Sequence, residues 1–226
     1  MKLKNIKGCV YSEYFDYSTY MDGNPNIEIP PDVGQLVVLD KTIKYIPNLS
    51  QTNVTSMSIS MLEPEQELYI EPGSLPHSLK SLTLSVKIQD TLEPGLFPEG
   101  LQSITIDDRN NQFFKPNVLP ESLESLQLLS EYDKPFESGS LPSRLKTLTI
   151  LFLMGNQDLS HLPKSLECIE FGEINTFKLL PDFNQFHRLA TLQNFQFEHI
   201  HLVPPTVRRQ SILAPSNLSV YIYWNI

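Results

Sequence analysis

The 226-residue sequence predicts a solenoid, in which short parallel β-strands stack coil upon coil and are joined by extended segments with little helix. Three observations predict it. A ten-residue motif, written "LPESLESLQL" at residues 119–128, occurs five times. Its prolines follow one another at intervals of 22, 22, 22 and 21 residues, and a fixed period of this size is typical of stacked repeats. The chain also has 18 prolines, which exclude long helices because each removes an amide donor and clashes with the preceding turn.

Each motif supplies the apolar side chains of one coil, and positions in a coil are counted from the proline of the motif. The five prolines are Pro76, Pro98, Pro120, Pro142 and Pro163. Apolar residues stand three, six and eight places later, as Leu123, Leu126 and Leu128 do in the third copy. Others stand directly before the proline and six places before it. Because positions six and eight are two apart, they share one face of a strand, and stacked copies bury them against each other.

A tight turn is predicted ahead of each of the first four motifs. Three places before the proline stand Gly73, Gly95, Asn117 and Gly139, and a proline precedes the first three of them. Pro-Gly and Pro-Asn suit a type II turn, because proline fixes φ at its first central position and glycine or asparagine accepts positive φ at its second. The remaining linking stretches are rich in Pro, Asp, Asn and Gln and have no helical period, so we expect them to be extended.

Degenerate copies extend the array in both directions, as expected of the repeats that cap a solenoid. Upstream, the apolar offsets are filled from Pro30 by Val33, Leu36 and Val38, and from Gln51 by Val54, Met57 and Ile59. Downstream, Leu189 and Leu192 fit one more coil. The stretch "VPPTV" at Val203 suggests another, although Gln210 stands where an apolar residue is expected, and "LSVYIYW" predicts a terminal strand.

These copies predict a single repeat domain of about eight to nine coils over residues 1–226. Residues 1–28 form an N-terminal cap and residues 29–69 hold degenerate repeats. Residues 70–171 hold the regular 22-residue repeats, and residues 172–226 hold further degenerate repeats and a C-terminal cap.

The motif, together with Asn111-Gln112-Phe113 and Phe183-Asn184-Gln185, resembles the FNIP repeat, a relative of the leucine-rich repeats found in social amoebae and in giant viruses that infect amoebae. The strong match covers about residues 70–171. The resemblance implies a leucine-rich-repeat-like solenoid, with parallel strands on a concave sheet and a mostly extended convex side. Some family members carry an N-terminal F-box-like or kinase domain, and residues 1–28 are too short for either.

The residues five and seven places after each proline point to the other face of the strand, away from the predicted core. They are mostly small and hydroxylated, and we call them the hydroxyl ladder: Ser81, Thr83, Ser103, Thr105, Ser125, Gln127, Thr147 and Thr149. Two interpretations stay open. The ladder is structural, since threonine suits strands and neighbouring hydroxyls bond one another, or it is the floor of a partner-binding surface on the concave sheet.

Composition excludes two classes of partner and indicates a compartment. The net charge is −9 and the pI is about 5.0, so the chain repels phosphate backbones and anionic lipid; we expect neither nucleic-acid nor membrane binding. No apolar run matches a signal peptide or a membrane span. The two cysteines, Cys9 and Cys168, are therefore predicted to be reduced thiols of a cytoplasmic protein.

The sequence predicts no catalytic site, because catalysis needs unlike groups that converge, whereas a repeat supplies like groups in rows. It has no glycine-rich phosphate loop, no Gly-x-Ser-x-Gly elbow and no His-Glu-x-x-His motif. The alternative hypothesis is a thiol-dependent or other hydrolase built on the degenerate end repeats, around Cys168, His187 and His199. His199 and His201 would share a strand face, but the pattern offers no further metal ligands, so we expect no metal and no cofactor.

The predicted function is non-catalytic protein–protein interaction, as a scaffold or adaptor that binds a protein partner through the concave sheet. Two alternatives remain beside it. One is the thiol-dependent enzyme, and the other is an expanded repeat-family member with no dedicated partner.

Overall fold

The computed structural model describes residues 29, 31–40, 44–61, 67–107, 111–153, 161–174, 210–211 and 221–222. Its strands are β1 (Gln35–Asp40), β2 (Ser56–Met61), β3 (Glu67–Leu68), β4 (Ser81–Ser85), β5 (Lys87–Ile88), β6 (Ser103–Asp107), β7 (Ser125–Tyr132), β8 (Thr147–Leu153), β9 (Cys168–Ile174), β10 (Gln210–Ser211) and β11 (Tyr221–Ile222). Within these ranges no residue is helical, in agreement with the prediction from the prolines.

Seven strands form one parallel sheet, in the order β1, β2, β4, β6, β7, β8 and β9. Neighbours in the sheet pair at equal positions of the repeat, so that Ser103 is the partner of Ser125 and Ser125 the partner of Thr147. The spacing of the motifs therefore sets the register, and the predicted solenoid of parallel strands is confirmed. β3 and β5 form a separate two-stranded parallel sheet on another side of the coils.

The core is a stack of apolar columns, one for each repeated apolar position. In the central coils Ile104, Leu126 and Leu148, all six places after the proline, have no exposed surface. The columns directly before the proline and three places after it are likewise buried throughout the regular repeats. The column six places before the proline is also buried and consists of Ile70, Leu92, Phe114 and Phe136. Leu36, Val54 and Met57 continue the core into the degenerate upstream coils, as predicted.

The predicted corner turns are present in four consecutive coils. Gly73, Gly95, Asn117 and Gly139 have φ angles of 78°, 84°, 67° and 80°. Each turn is closed by a hydrogen bond across it, as where the Ser74 amide donates to the Glu71 carbonyl at 3.0 Å. A second turn follows at once, because the carbonyl of the motif proline accepts the amide three residues later, as Pro120 accepts from Leu123 at 3.0 Å. Two turns in series thus reverse the chain before every strand.

Neighbouring coils are joined by main-chain bonds where the strands begin. The Lys80 carbonyl accepts from the amides of Gln102 and Ser103, at 2.9 and 3.0 Å, and the same double acceptor recurs in the following coils. The serine of the motif adds a bond that the sequence did not predict. The Ser122 hydroxyl donates to the carbonyl of Leu101 in the preceding coil at 2.6 Å. Ser78 and Ser165 make the equivalent bonds, which explains why serine recurs two places after the proline.

On the return side of the coils, meaning residues 67–71, 86–93, 111–115 and 132–137, main-chain pairing is short, as between β3 and β5, and side chains add further bonds between coils. The Gln89 side-chain amide accepts from the Ile70 amide at 3.1 Å and donates to the Ile70 carbonyl at 2.8 Å. Asn111 makes the same kind of pair with Asp133, donating to its carboxylate at 2.7 Å and accepting from its amide at 3.1 Å. Lateral bonds from side chains therefore continue the contact between coils where the short pairing of β3 with β5 ends.

Aromatic rings fill the core beneath that side. Phe114, Tyr132 and Phe136 stack with ring centroids 6.1 and 5.1 Å apart. Tyr132 is 1% exposed, and its burial, together with the nearby Asp133 charge, raises the pKa of its hydroxyl. A bond from Lys134, followed by that from Asn111, lowers the pKa of the Asp133 carboxyl.

The downstream end differs in part from the prediction. Gln210 and Ser211 pair antiparallel with Ile222 and Tyr221, and this pair is separate from the seven-stranded sheet. Gln210, whose polar side chain had already broken the apolar pattern, therefore does not continue the parallel sheet. The rest of the coil predicted at Val203 lies outside the described residues, and that coil stays a prediction. β11 lies within the predicted terminal strand. The cap at 1–28 and the coil at Leu189 and Leu192 lie outside the described residues.

Candidate functional site

The hydroxyl ladder lies on the outer face of the sheet, as its place in the repeat predicted. Ser81 and Thr83 are on β4, Ser103 and Thr105 on β6, Ser125 and Gln127 on β7, and Thr147 and Thr149 on β8. Seven of these eight side chains are half-buried, and Thr149 is buried, with 6% exposed. Parallel pairing brings equal positions together, so each ladder residue has its equivalents about 4.8 Å away on either side.

This geometry accounts for the partial burial. The Thr105 hydroxyl donates to the side-chain oxygen of Gln127, one coil along, at 3.5 Å. Side chains that cover one another in rows lose part of their surface, but they keep enough to be touched from outside. The ladder is therefore both a lateral contact between coils and an accessible, nearly uncharged strip, and these two roles are compatible.

Charged side chains line the edge of the ladder where the strands begin. The position four places after the proline holds Lys80, Gln102, Glu124, Lys146 and Glu167. The Lys146 ammonium lies 2.6 Å from the Glu124 carboxylate, and this contact lowers the pKa of Glu124. Both side chains are exposed to solvent, so this ion pair contributes little to stability, as is usual for ion pairs on a protein surface.

Apolar side chains lie at the opposite edge, where β7 and β8 end. Leu129 and Leu151 are half-buried, and Phe152 is 37% exposed. Other coils carry Ser85 and Asp107 at the equivalent of Leu129, so the repeat did not identify this apolar edge. The one signal available was the uninterrupted apolar run "ILFLM" at residues 150–154, where most other strands of the sheet alternate apolar and polar residues.

The residues of the thiol hypothesis are placed only in part. Cys168 begins β9 and pairs with Thr147, so it takes the ladder position that serine or threonine fills elsewhere. His187, His199 and His201 lie outside the described residues. Among the residues that are described, no three His, Cys, Asp or Glu side chains are grouped as metal ligands. The same residues include no helix long and apolar enough to cross a membrane.

Comparison with known proteins identifies the repeat. The model of the FNIP repeat matches residues 89–130 and 110–152. Among solved structures, the chain is similar to CroV588, a giant-virus protein described as a novel circular LRR protein structure, with a TM-score of 0.57 and 21% identity. That match covers 74% of this chain and 24% of CroV588, so the chain corresponds to about a quarter of its length. No curated protein matches the sequence significantly.

Proposed function

Starting from a chain that carries FNIP repeats over residues 89–152 in a leucine-rich-repeat-like solenoid, we propose that it is a non-catalytic scaffold in the cytoplasm that binds a protein partner through the outer face of its sheet. The observation that carries the proposal is the alignment of the half-exposed hydroxyl ladder across β4, β6, β7 and β8. Such a strip offers a partner many weak hydrogen bonds from side chains that lose little entropy on binding.

The apolar edge supplies the bulky side chains that the hydroxyl ladder lacks. Interfaces obtain most of their free energy from a few bulky side chains, and small hydroxyls seldom contribute it. Phe152, which follows the half-buried Leu151 in β8, is a large apolar side chain with 37% of its surface exposed. We assign the anchoring contact to this edge and the orienting contacts to the ladder, and we assign no reaction, metal or cofactor to either.

The proposal is tested by blocking the strip while leaving the fold intact. Ser103→Arg places a bulky charge in the middle of the ladder, and Thr91→Arg places the same charge on an exposed loop of the return side. Wild type and Thr91→Arg should cross-link to the same protein in lysate of the cells that make this chain, and Ser103→Arg should lose that product at an unchanged melting temperature. A product that survives Ser103→Arg would place binding elsewhere.

A thiol-reactive probe separates this proposal from the enzyme hypothesis. An ordinary, slow rate of labelling at Cys168 at neutral pH is expected of a cysteine that fills a ladder position. Labelling far faster than that of free cysteine would indicate an activated thiolate and would favour catalysis. Intact-mass spectrometry of the full chain, with Cys168→Ser as the reference, measures the rate.

A further inference from the structure

A small groove lies on the corner of the solenoid, between the coils of Pro76 and Pro98, away from the hydroxyl ladder. Its volume is about 270 Å³. Gly73 and Gly95, the positive-φ residues of two successive corner turns, form one wall together with Gly100. The other lining side chains are mostly apolar, with Leu75, Leu96 and Phe97 at the base. The groove is thus built from backbone on one side and core side chains on the other.

The groove depends on two glycines in neighbouring coils. A Cβ atom built on Gly73 or on Gly95 meets no other atom within 4 Å, so the space beside both residues is open. In the next coil the same corner position is Asn117, which has the same positive φ and a side chain. The third glycine corner, Gly139, adjoins Asn117 and lacks a glycine neighbour on that side. Gly73 and Gly95 are therefore the one adjacent pair of glycine corners among the four described.

The surrounding charges are mainly negative. Glu99 lines the groove, and the exposed Glu71 and Glu93 each stand two residues before one of its glycines. One lysine lies near, and the Lys80 ammonium donates to the Gly100 carbonyl at 3.1 Å. His77 also lines the groove. The apolar base and the Glu99 carboxylate, with Glu71 and Glu93 near in the chain, complement an aliphatic group that adjoins positive charge.

The size of the groove limits what it can hold. Sites for drug-sized molecules and cofactors occupy about 300–1,000 Å³, and this groove is below that range. It does suit a single side chain from an extended segment, since the glycine wall lets a partner's backbone approach closely. We propose that the corner groove is an anchor site for one aliphatic side chain flanked by lysine or arginine in an extended segment of a partner protein. This site is separate from the outer face, so it stands or falls independently of the proposed function.

The test uses two synthetic peptides and the full chain labelled with ¹⁵N. Acetyl-Ala-Lys-Leu-Lys-Ala-amide should move the amide resonances of Gly73, Gly95 and Gly100 in a saturable way, with a Kd on the order of 1 mM, as expected of one small contact. Acetyl-Ala-Glu-Leu-Glu-Ala-amide should leave them in place. The proposal is overturned if the lysine peptide gives no saturable shift, or if both peptides shift these resonances equally.

The chain offers a matched pair of variants. Gly95→Asn copies the residue that the next coil tolerates and fills the groove, so affinity for the lysine peptide should fall at least about tenfold. Gly139→Asn makes the same change at a corner outside the groove and should bind like wild type. Equal affinity of the two variants contradicts the proposal. If Gly95→Asn does not keep a native amide spectrum, Glu99→Lys at its exposed position serves instead, and undiminished binding of the lysine peptide by that variant contradicts the proposal as well.

Discussion

The strand side and the return side of each coil provide hydrogen-bond partners for the main chain in different ways. On the strand side, main-chain groups bond to main-chain groups, as where the amide of Glu124 donates to the Gln102 carbonyl at 2.8 Å. On the return side strand pairing is limited to the two residues each of β3 and β5, and beyond it side chains such as Gln89 and Asn111 supply the donors and acceptors. Buried or half-buried main-chain groups need partners on both sides, and the sequence meets that need with side-chain amides wherever regular pairing ends.

This difference explains why the amino-acid sequence varies from coil to coil in one way on the strand side and in another on the return side. Main-chain pairing tolerates many kinds of outward side chain, so Ser, Thr and Gln all occur in the hydroxyl ladder and Cys168 takes the equivalent position in β9. We call the side-chain bonds of Gln89 to Ile70 and of Asn111 to Asp133 clamps. A clamp needs a particular residue at a particular place, and so the return segments show no strict repeat. The free energy that holds coils together should therefore be concentrated in the apolar columns of the strand side, with smaller, local contributions from the clamps.

The largest effect is expected from breaking an apolar column on the strand side. Leu126 has no exposed surface and lies between Ile104 and Leu148 of the neighbouring coils. Leu126→Ala should lower the free energy of unfolding by about 2–5 kcal/mol, because it leaves a cavity between coils. Ser125→Ala, one residue away on the outer face, should change it by less than about 0.5 kcal/mol. Urea denaturation of both variants makes the comparison, and equal losses would place Leu126 outside the shared core.

The second-largest loss of stability is expected at the corner turn between the two sides. Gly95 has a φ of 84° and open space where a Cβ would lie, so any loss on substitution comes from the backbone alone. Gly95→Val should cost about 1–3 kcal/mol, since β-branched residues resist positive φ. Gly95→Asn should cost less, as Asn117 already holds this conformation. Thermal melts decide the matter, and equal shifts for Val and Asn would show that the corner does not depend on φ.

A smaller loss is expected from removing one clamp on the return side. Gln89→Ala deletes both hydrogen bonds to the main chain of Ile70 and should cost about 1–2 kcal/mol. Gln102→Ala removes the same kind of side chain at an exposed position on the strand side and should cost less than about 0.5 kcal/mol. If the two variants unfold at the same urea concentration, the clamp does not contribute to stability.

The smallest effect is a gain. Gly100 stands where Ser78 and Ser122 bond the preceding coil, and a Cβ there would lie 3.9 Å from the Leu79 carbonyl oxygen. Gly100→Ser should add about 0.5–1 kcal/mol, by restricting the unfolded chain and by completing the bond. The one close contact is to the flexible end of Lys80 at 3.1 Å, which can move aside. Gly100→Ala isolates the backbone contribution, and it should stabilise less than serine does.

Much of the fold could be predicted from the sequence, because every coil uses the same short pattern of residues. The offset of each leucine from its proline determines which side chains are buried, and Pro-Gly determines the corner. The clamp of Asn111 and Asp133 did not follow, because its two members stand in different coils and are unlike each other. The apolar edge at Phe152 did not follow either, since the register of β7 and β8 shifts between Leu128 and Glu131 and breaks the period there.

Native-state hydrogen exchange tests the contrast between the two sides most directly. The amides of Glu124 and Lys146 donate to main-chain carbonyls, and those of Ile70 and Asp133 donate to side-chain oxygens of Gln89 and Asn111. The first pair should exchange only through global unfolding. The second pair should exchange at least about tenfold faster after correction for intrinsic rates, through local opening of the clamps. Equal protection of all four amides would contradict the account, because both sides would then open as one unit.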